Sequence, residues 1–463
     1  MHINQVTRLV LIGISGMFLC SCGDGVWNNP YPRSHDNKSI FYGSFTERPK
    51  HLDPVSSYSE NEAQFNAQIY EPLVQYHFLK RPYELTPLTA TAVPEPEYRD
   101  SSGNPLSSKA EVGEIDSVVY RIEIQPEILY QPHPAFAKGK NGELRYHGLS
   151  AKELQDYRTL ADFRDTGTRE LTAHDYVYQM KRLAHPRIHS PIAGFMGRYI
   201  IGLNELQREL KQATVDDRGF IDLREFDLSG VNVLDRYRFE IRLKEKYPQF
   251  VYWLAMPFFS PMPWEADQFY AQAGMKDRNI TLDWYPVGTG PYMLTENNPN
   301  RRMVMQRNPN FRGEAYPSRG MPEDEVAGWL ASAEQTMPFI DVAYYSLEKE
   351  AIPAWTKFLQ GFYDSSGIVS DSFDQAIKFS TEGEAELTQG MRDRNIRLAT
   401  AVRASTSYIG FNMIDKIVGG ASERARLLRR AISIAVDYEE LISIFANGRG
   451  LPAQGPIPPG IFG

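Results

Sequence analysis

Two thiols, Cys20 and Cys22, and nine histidines are the soft nucleophiles and metal donors available to this chain of 463 residues. The 441 residues after Cys22 contain no further cysteine. That removes zinc ribbons, iron–sulfur clusters, CxxC redox pairs, cysteine nucleophiles and disulfides from the body. His185 and His189 stand four apart in HPRIH, a spacing that can put two imidazoles on one helix face for a metal. Pro186 interrupts a helix there and no HExxH glutamate or third ligand accompanies them, so both read as solvated surface residues. His133 and His147 read as loop residues with no partner. No G-x-S-x-G elbow and no G-x-x-x-x-G-K-[ST] loop occurs. Gly288-Thr289-Gly290 lacks the third glycine and the acidic residue of a dinucleotide site and runs into Pro291, so it is a turn. Carboxylates such as Glu323/Asp324/Glu325 and Glu439/Glu440 suit the solvated faces of an acidic chain. These residues point to no catalytic group, no metal and no cofactor, and the expectation is a protein that is not an enzyme.

The chemistry that Cys22 does suit is acylation. Residues 1–8 carry Arg8 and no acid, and an apolar run of 11 residues follows from Leu9 to Leu19. That run falls well short of the ~20 residues a membrane-spanning helix needs, and it matches a secretory signal. The junction Leu19-Cys20-Ser21-Cys22-Gly23 resembles a bacterial lipobox with Leu at −3 and Ser at −1. A thiol at the first mature residue accepts the diacylglyceryl group. Cys20 is the poorer candidate because Leu19 would crowd its −1 position. A simple cleaved signal and a short buried helix are the alternatives, and both rank below lipidation. Residues 1–21 are therefore expected to be a lipoprotein signal and 22–37 a polar, turn-rich flexible tether. Several acyl chains on one cysteine suffice for stable anchoring. Gly23 in place of aspartate permits outer-membrane sorting in a Gram-negative cell.

Positioning elements come next. With 42% hydrophobic and 23% charged residues the composition is globular, and the length suggests two or three domains. A net charge of −8 argues against a phosphate-binding surface, so nucleic acid is not an expected partner. No internal repeat is evident. Residues 61–70 have helical spacing, with Phe65, Ile69 and Leu73 on one side and Pro72 at the exit. Residues 117–124 and 236–243 alternate as strands. Residues 137–170 are polar and read as a surface insertion, and 299–317 are turn-rich. Thr172 can cap the helix AHDYVYQMKRLA with Asp175 at N3. Ser422 can cap ERARLLRRAISIAV, and Asp437 can cap YEELISIFAN, which Gly448 ends. Strands and helices interleave without strict βαβ regularity, so the fold class is mixed α/β. The chain stops in a proline–glycine loop after two helices, which suggests a fragment.

Five segments in order resemble the extracellular solute-binding proteins of family 5, the peptide/nickel-type ABC importer group. They are His51-Leu52-Asp53-Pro54 with Tyr70-Glu71-Pro72-Leu73-Val74; Leu171-Thr172-Ala173-His174-Asp175-Tyr176-Val177-Tyr178; and Pro286-Val287-Gly288-Thr289-Gly290-Pro291-Tyr292 with Arg307-Asn308-Pro309-Asn310-Phe311. The remaining two are Phe358-Leu359-Gln360-Gly361-Phe362-Tyr363-Asp364, and Tyr408-Ile409-Gly410-Phe411-Asn412-Met413 with the run from Leu428 to Ile442. Most of these are structural in their own right. Glycines allow positive φ before Pro291, and Asp437 is a helix cap.

The resemblance implies a two-lobed, periplasmic-binding-protein type II-like fold with an extra inserted domain. Lobe one would comprise 38–72 and 171–402, the extra domain 73–170, and 403–463 the start of an incomplete second lobe. In the peptide binders the acid that holds the ligand's α-amino group lies beyond the position matching Gly463. Candidate ligand contacts are Tyr58, Ser59 and Glu60 in lobe one, with Tyr408 and Asn412 at the entrance to lobe two. Glu60 could pair with an ammonium and Tyr408 could stack or donate a hydrogen bond; equally, Tyr408 and Asn412 could be hinge-packing residues. The family's pattern before Leu171 is missing, which marks a divergent subgroup. The implied function is a periplasmic, lipid-anchored monomer that captures peptides or similar solutes for an ABC permease and ATPase. The alternatives are an envelope receptor or sensor on the same scaffold and, ranked low, an envelope hydrolase.

Overall fold

The computed structural model describes residues 30–213, 220–379, 385–401, 403–458 and 461. Cys20, Cys22, the expected signal and the first part of the expected tether lie outside these residues. Eight strands carry the two larger sheets: β1 (Ile40–Phe45), β2 (Pro96–Arg99), β3 (Ser117–Glu123), β4 (Val231–Val233), β5 (Arg238–Leu243), β6 (Tyr292–Asn298), β7 (Arg302–Arg307) and β8 (Val342–Leu347). The expected alternation at 236–243 appears in β5, where Phe239, Ile241 and Leu243 are buried while Arg238 and Arg242 face solvent. The first sheet runs β1-β8-β7-β6, with β1 and β8 parallel and the other pairs antiparallel. The second runs β2-β3-β5-β4 and is antiparallel throughout. It draws β2 and β3 from the segment 73–170 and β4 and β5 from 171–402, so this layer is shared across that expected boundary.

The turn-rich reading of 299–317 is corrected by β7, which forms a hairpin with β6 through Asn298–Arg302. Its inner residues Met303, Val304 and Met305 are buried, and the polar ends Arg302, Gln306 and Arg307 hide that short apolar run from a periodicity reading. Helix α1 (Glu60–Ile69) crosses the first sheet. Phe65 meets Phe45 and Tyr345 edge-on at 5.8 Å and 5.4 Å between ring centroids. Helix α2 (Ala173–Arg182) lays Tyr176 flat on Phe239 of the second sheet at 5.5 Å. Thr172 caps α2 as expected, its backbone N–H donating to Asp175 at 2.9 Å in a capping box. One apolar core joins both sheets, and a smaller one gathers Trp355, Phe373, Ala376, Ile377, Leu387 and Met391.

The glycines of the Gly288-Thr289-Gly290 turn do a different job from the one expected. Neither has positive φ. A Cβ on Gly288 would lie 1.9 Å from the Ile69 carbonyl oxygen, and one on Gly290 would lie 2.7 Å from the carbonyls of Gln68 and Ile69. The Gly290 N–H donates to Ile69 at 2.9 Å, so the turn is pressed against the last turn of α1. Gly288→Ala is therefore expected to cost about 2–3 kcal/mol. Urea denaturation checks this, and a cost under about 0.5 kcal/mol would show that the turn can recoil.

The stretch 137–170 is not simply a surface insertion. Tyr146, Leu154 and Phe163 are buried. Phe163 stacks on Tyr157 at 4.1 Å and meets Phe269 of helix α3 (Trp264–Tyr270) at 5.1 Å. Those aromatics fasten a polar segment into the main core. The flexible-tether reading of 22–37 also fails for its described end. Residues Arg33–His35 form a 3-10 turn, and Tyr31 stacks on Tyr42 of β1 at 3.6 Å. Helix α4 (Ala351–Leu359) follows the first sheet. Later in the chain, α5 (Glu423–Ala435) and α6 (Tyr438–Ala446) form as expected, capped by Ser422 and Asp437. Their apolar residues Ile434, Ile444 and Phe445 are exposed. Among the described residues no helix is long and apolar enough to cross a membrane.

Candidate functional site

Tyr58, Ser59 and Glu60 sit where an extended segment enters α1, and all three are exposed. Ser59 is the N-cap, with φ −88° and ψ 154°. What holds the segment is Glu62, which sequence reading passed over although Ser59-x-x-Glu62 is a capping-box pattern. Its carboxylate is buried and accepts backbone N–H groups from His51 at 2.9 Å, Lys50 at 3.1 Å, Tyr58 at 3.0 Å and Ser59 at 3.2 Å. Burial would raise its pKa, but the donors from Tyr58, His51 and Ser59 outweigh that and leave it below the usual glutamate value. Tyr58 leans on buried Phe258 at 6.4 Å and keeps 75% of its surface open. An exposed aromatic ring and, two residues on, an exposed carboxylate are thus carried on a pinned backbone.

An ion pair between Glu60 and Arg403 joins this segment to the expected start of the second lobe. Both side chains are largely exposed, so water screens the pair and a competing cation could displace Arg403. Sequence reading missed Arg403 because nothing local marks a contact across 343 positions. Tyr408, five residues on, is 86% exposed. Asn412 makes local bonds: its Oδ1 accepts from Ile414 N–H at 3.2 Å, and its carbonyl accepts from Asp415 N–H at 3.1 Å. That is an Asx turn, which favours a structural role for Asn412.

Two residues of the resemblance motifs, Asp53 and Glu71, anchor buried ion pairs on either side of α1 in sequence. Asp53 receives two hydrogen bonds from the buried Arg182 guanidinium, at 2.9 Å and 2.7 Å, and Asp267 lies 3.3 Å from the same guanidinium. Glu71 is likewise buried and accepts two hydrogen bonds from Arg312, at 2.7 Å and 2.9 Å. Burial still lifts the Glu71 carboxyl above its ordinary value.

The histidine readings need correction. His133 is buried with two partners: its Nδ1 accepts from Ala135 N–H at 3.1 Å, and its Nε2 lies 2.8 Å from the Tyr270 hydroxyl. His147 contacts Gln268 and the Ala135 carbonyl at 3.1 Å and 3.0 Å. Turns at His133 and Gly148 fold these loop residues inward, where ring packing against Phe269 rewards burial. His185 is half-buried, and its burial lowers its pKa; His189 is exposed. Among the described residues no group of three or more histidine, cysteine or carboxylate side chains is placed to hold a metal.

Comparison with known proteins adds a family to this geometry. A family model for bacterial extracellular solute-binding proteins, family 5 Middle, matches residues 161–463. The chain is 33% identical over 142 residues to the periplasmic oligopeptide-binding protein of Salmonella typhimurium, covering 30% of this chain and 23% of that protein. It is 23% identical over 299 residues to the dipeptide-binding protein of Escherichia coli, covering 64% of this chain and 44% of that protein. Among solved structures it is similar to the ABC transporter-associated periplasmic binding protein DppA of Helicobacter pylori in complex with the peptide STSA. The TM-score is 0.56 at 15% identity, covering 93% of this chain and 63% of the other. The matches thus span less than two thirds of each relative, and likeness at 15% identity speaks for the fold alone.

Proposed function

The chain belongs to the bacterial extracellular solute-binding proteins of family 5, with the mixed α/β, two-lobed fold of that family, and on this premise we propose that it captures peptides or similar small solutes for an ABC importer. The family match over 161–463 carries the reading. The relatives named for oligopeptide and dipeptide binding favour a peptide over other solutes. The Tyr58–Glu60 edge supports it chemically, since a ligand ammonium can replace Arg403 on Glu60 while Tyr58 offers a ring face. Domains are read as lobe one at 38–72 and 171–402, an extra domain at 73–170 whose sheet is completed by β4 and β5 of 171–402, and lobe two from 403. A lipid on Cys22 would hold the protein in the periplasm as a membrane-anchored monomer that serves its permease.

A peptide library offered to the full-length protein is expected to raise its thermal midpoint, by the equivalent of ~2.7 kcal/mol at a hundredfold excess over Kd. Glu60→Ala should weaken the tightest peptide about tenfold, the loss of one charge-assisted hydrogen bond. A flat response across peptides, amines and nickel would sink the reading. If peptides bind while uptake of labelled peptide is normal in cells lacking the protein, binding serves sensing instead.

A further inference from the structure

The parallel pairing of β1 and β8 sets Tyr42 directly beside Tyr344 on the outer face of the first sheet, opposite the face where Phe45 and Tyr345 meet α1. The segment just before β1 covers these two rings. Tyr31 lies flat on Tyr42, 3.6 Å between centroids and 10° between planes. His35 lies over Tyr344 at 5.5 Å and 18°, and the Arg302 guanidinium sits 5.3 Å from the Tyr344 ring centre. Polar contacts lock the stack. The Tyr31 hydroxyl donates to the Phe362 carbonyl, and His35 Nδ1 and the Tyr42 hydroxyl share a hydrogen bond. Tyr42 N–H donates to Asp364 at 2.7 Å and Asp364 N–H returns to the Tyr42 carbonyl at 2.8 Å, so the open side of edge strand β1 is also closed. Burial is the main cause that pushes the Tyr31 and Tyr42 hydroxyls up to about 12, which keeps both neutral across physiological pH.

We infer that Tyr31–Asp36 is a clasp that shortens the membrane tether and holds the outer face of β1 and β8 toward the lipid surface. The inference rests on the proposed lipid at Cys22. Nine residue steps separate Cys22 from Tyr31, and 18 separate it from Ile40 at the start of β1. At ~3.6 Å per step the greatest reach is ~32 Å with the clasp closed and ~65 Å with it open. A closed clasp therefore keeps its own side of the body within ~32 Å of the bilayer, while an open one puts the body on a leash twice as long.

The test uses the full lipidated chain in phosphatidylethanolamine/phosphatidylglycerol vesicles containing an acceptor-labelled lipid. A donor dye is placed on Lys349→Cys, an exposed site just beyond β8. Tyr31→Ala should lower energy transfer at least twofold, because transfer falls steeply with distance and the longer leash lets the dye move farther from the acceptor plane. Tyr31→Phe, which keeps the ring stack, should stay close to the parent. Intact mass reports lipid on Cys22. Lipid present with transfer unchanged in Tyr31→Ala overturns the clasp alone. Absence of lipid overturns the reading of Cys22 and this inference with it. Should Tyr31→Ala not fold, hydrogen exchange in the parent decides: slow exchange at the His35 and Asp36 amides, which donate to Pro32 and Arg33, supports the clasp, and free-peptide rates overturn it.

Discussion

Arg182→Met is expected to cost 3–5 kcal/mol, an order-of-magnitude figure for breaking a buried pair by removing one partner. Arg182 is 1% exposed, and its guanidinium is shared between Asp53, Asp267 and the Gln179 amide oxygen. Methionine fills a similar volume, so the penalty is electrostatic rather than a cavity. Asp53 and Asp267 would keep their charges in a low-dielectric setting, with the Tyr178 hydroxyl still donating to Asp267 at 2.8 Å but nothing cationic between them. Asp283, whose carboxyl burial and the nearby Asp53 already hold above the usual aspartate value, would feel the same excess. Adding Asp53→Asn to Arg182→Met should recover part of the loss, and that non-additivity identifies charge imbalance as the cause. Urea midpoints measure both variants. A single variant within 1 kcal/mol of the parent would show that the cluster is hydrated and carries no such penalty. Because Asp53 also anchors Val55 N–H at 3.2 Å, in the stretch that leads to Tyr58, ligand binding should weaken along with stability.

How much of this was legible before the structure follows the range of the interaction. Helix caps at Thr172, Ser422 and Asp437 were readable because a cap closes within three residues. The strand β5 was readable because its alternation is local. Long pairings were not. Asp53 with Arg182 and Glu71 with Arg312 stand 129 and 241 positions apart, and nothing in either motif names its partner. Gly288 was understood as a turn residue, but its constraint is close approach to Ile69, a tertiary fact. The polar stretch 137–170 misled because its few aromatics decide its placement while its many charges dominate its composition. The candidate site shows the same division. Tyr58, Ser59 and Glu60 are adjacent and could be found together, whereas Arg403 needed the fold, and the Asx turn of Asn412 was visible only as geometry. Family motifs therefore mostly mark residues such as Asp53 and Glu71 that pair at long range, and the proposed ligand contacts Tyr58, Ser59 and Glu60 stand outside them.

His133 should make the protein acid-labile by a mechanism that can be isolated. Burial, with a smaller contribution from His147, lowers its pKa from 6.5 to about 3. In the unfolded chain the imidazole titrates near 6.5, so below that pH unfolding takes up a proton that the folded state refuses. Stability from this group is complete above pH 6.5 and is lost as pH falls towards 3, at up to about 1.4 kcal/mol per pH unit. The hydrogen bonds explain the refusal. Nδ1 is committed as acceptor to Ala135 N–H, so Nε2 carries the proton toward the Tyr270 hydroxyl, which itself donates to the Tyr285 carbonyl at 2.6 Å. A second proton on Nδ1 would oppose that N–H with another donor. His133→Asn keeps an oxygen near Nδ1 but cannot titrate. Its stability, measured by urea denaturation from pH 7 to 4, should start below the parent and converge on it as pH falls. Half-buried His185 is depressed in the same direction by its own burial, but it is common to both proteins and cancels in the difference. Parallel stability curves would show that His133 is hydrated or charged in the folded protein, and the buried-neutral assignment would then be wrong.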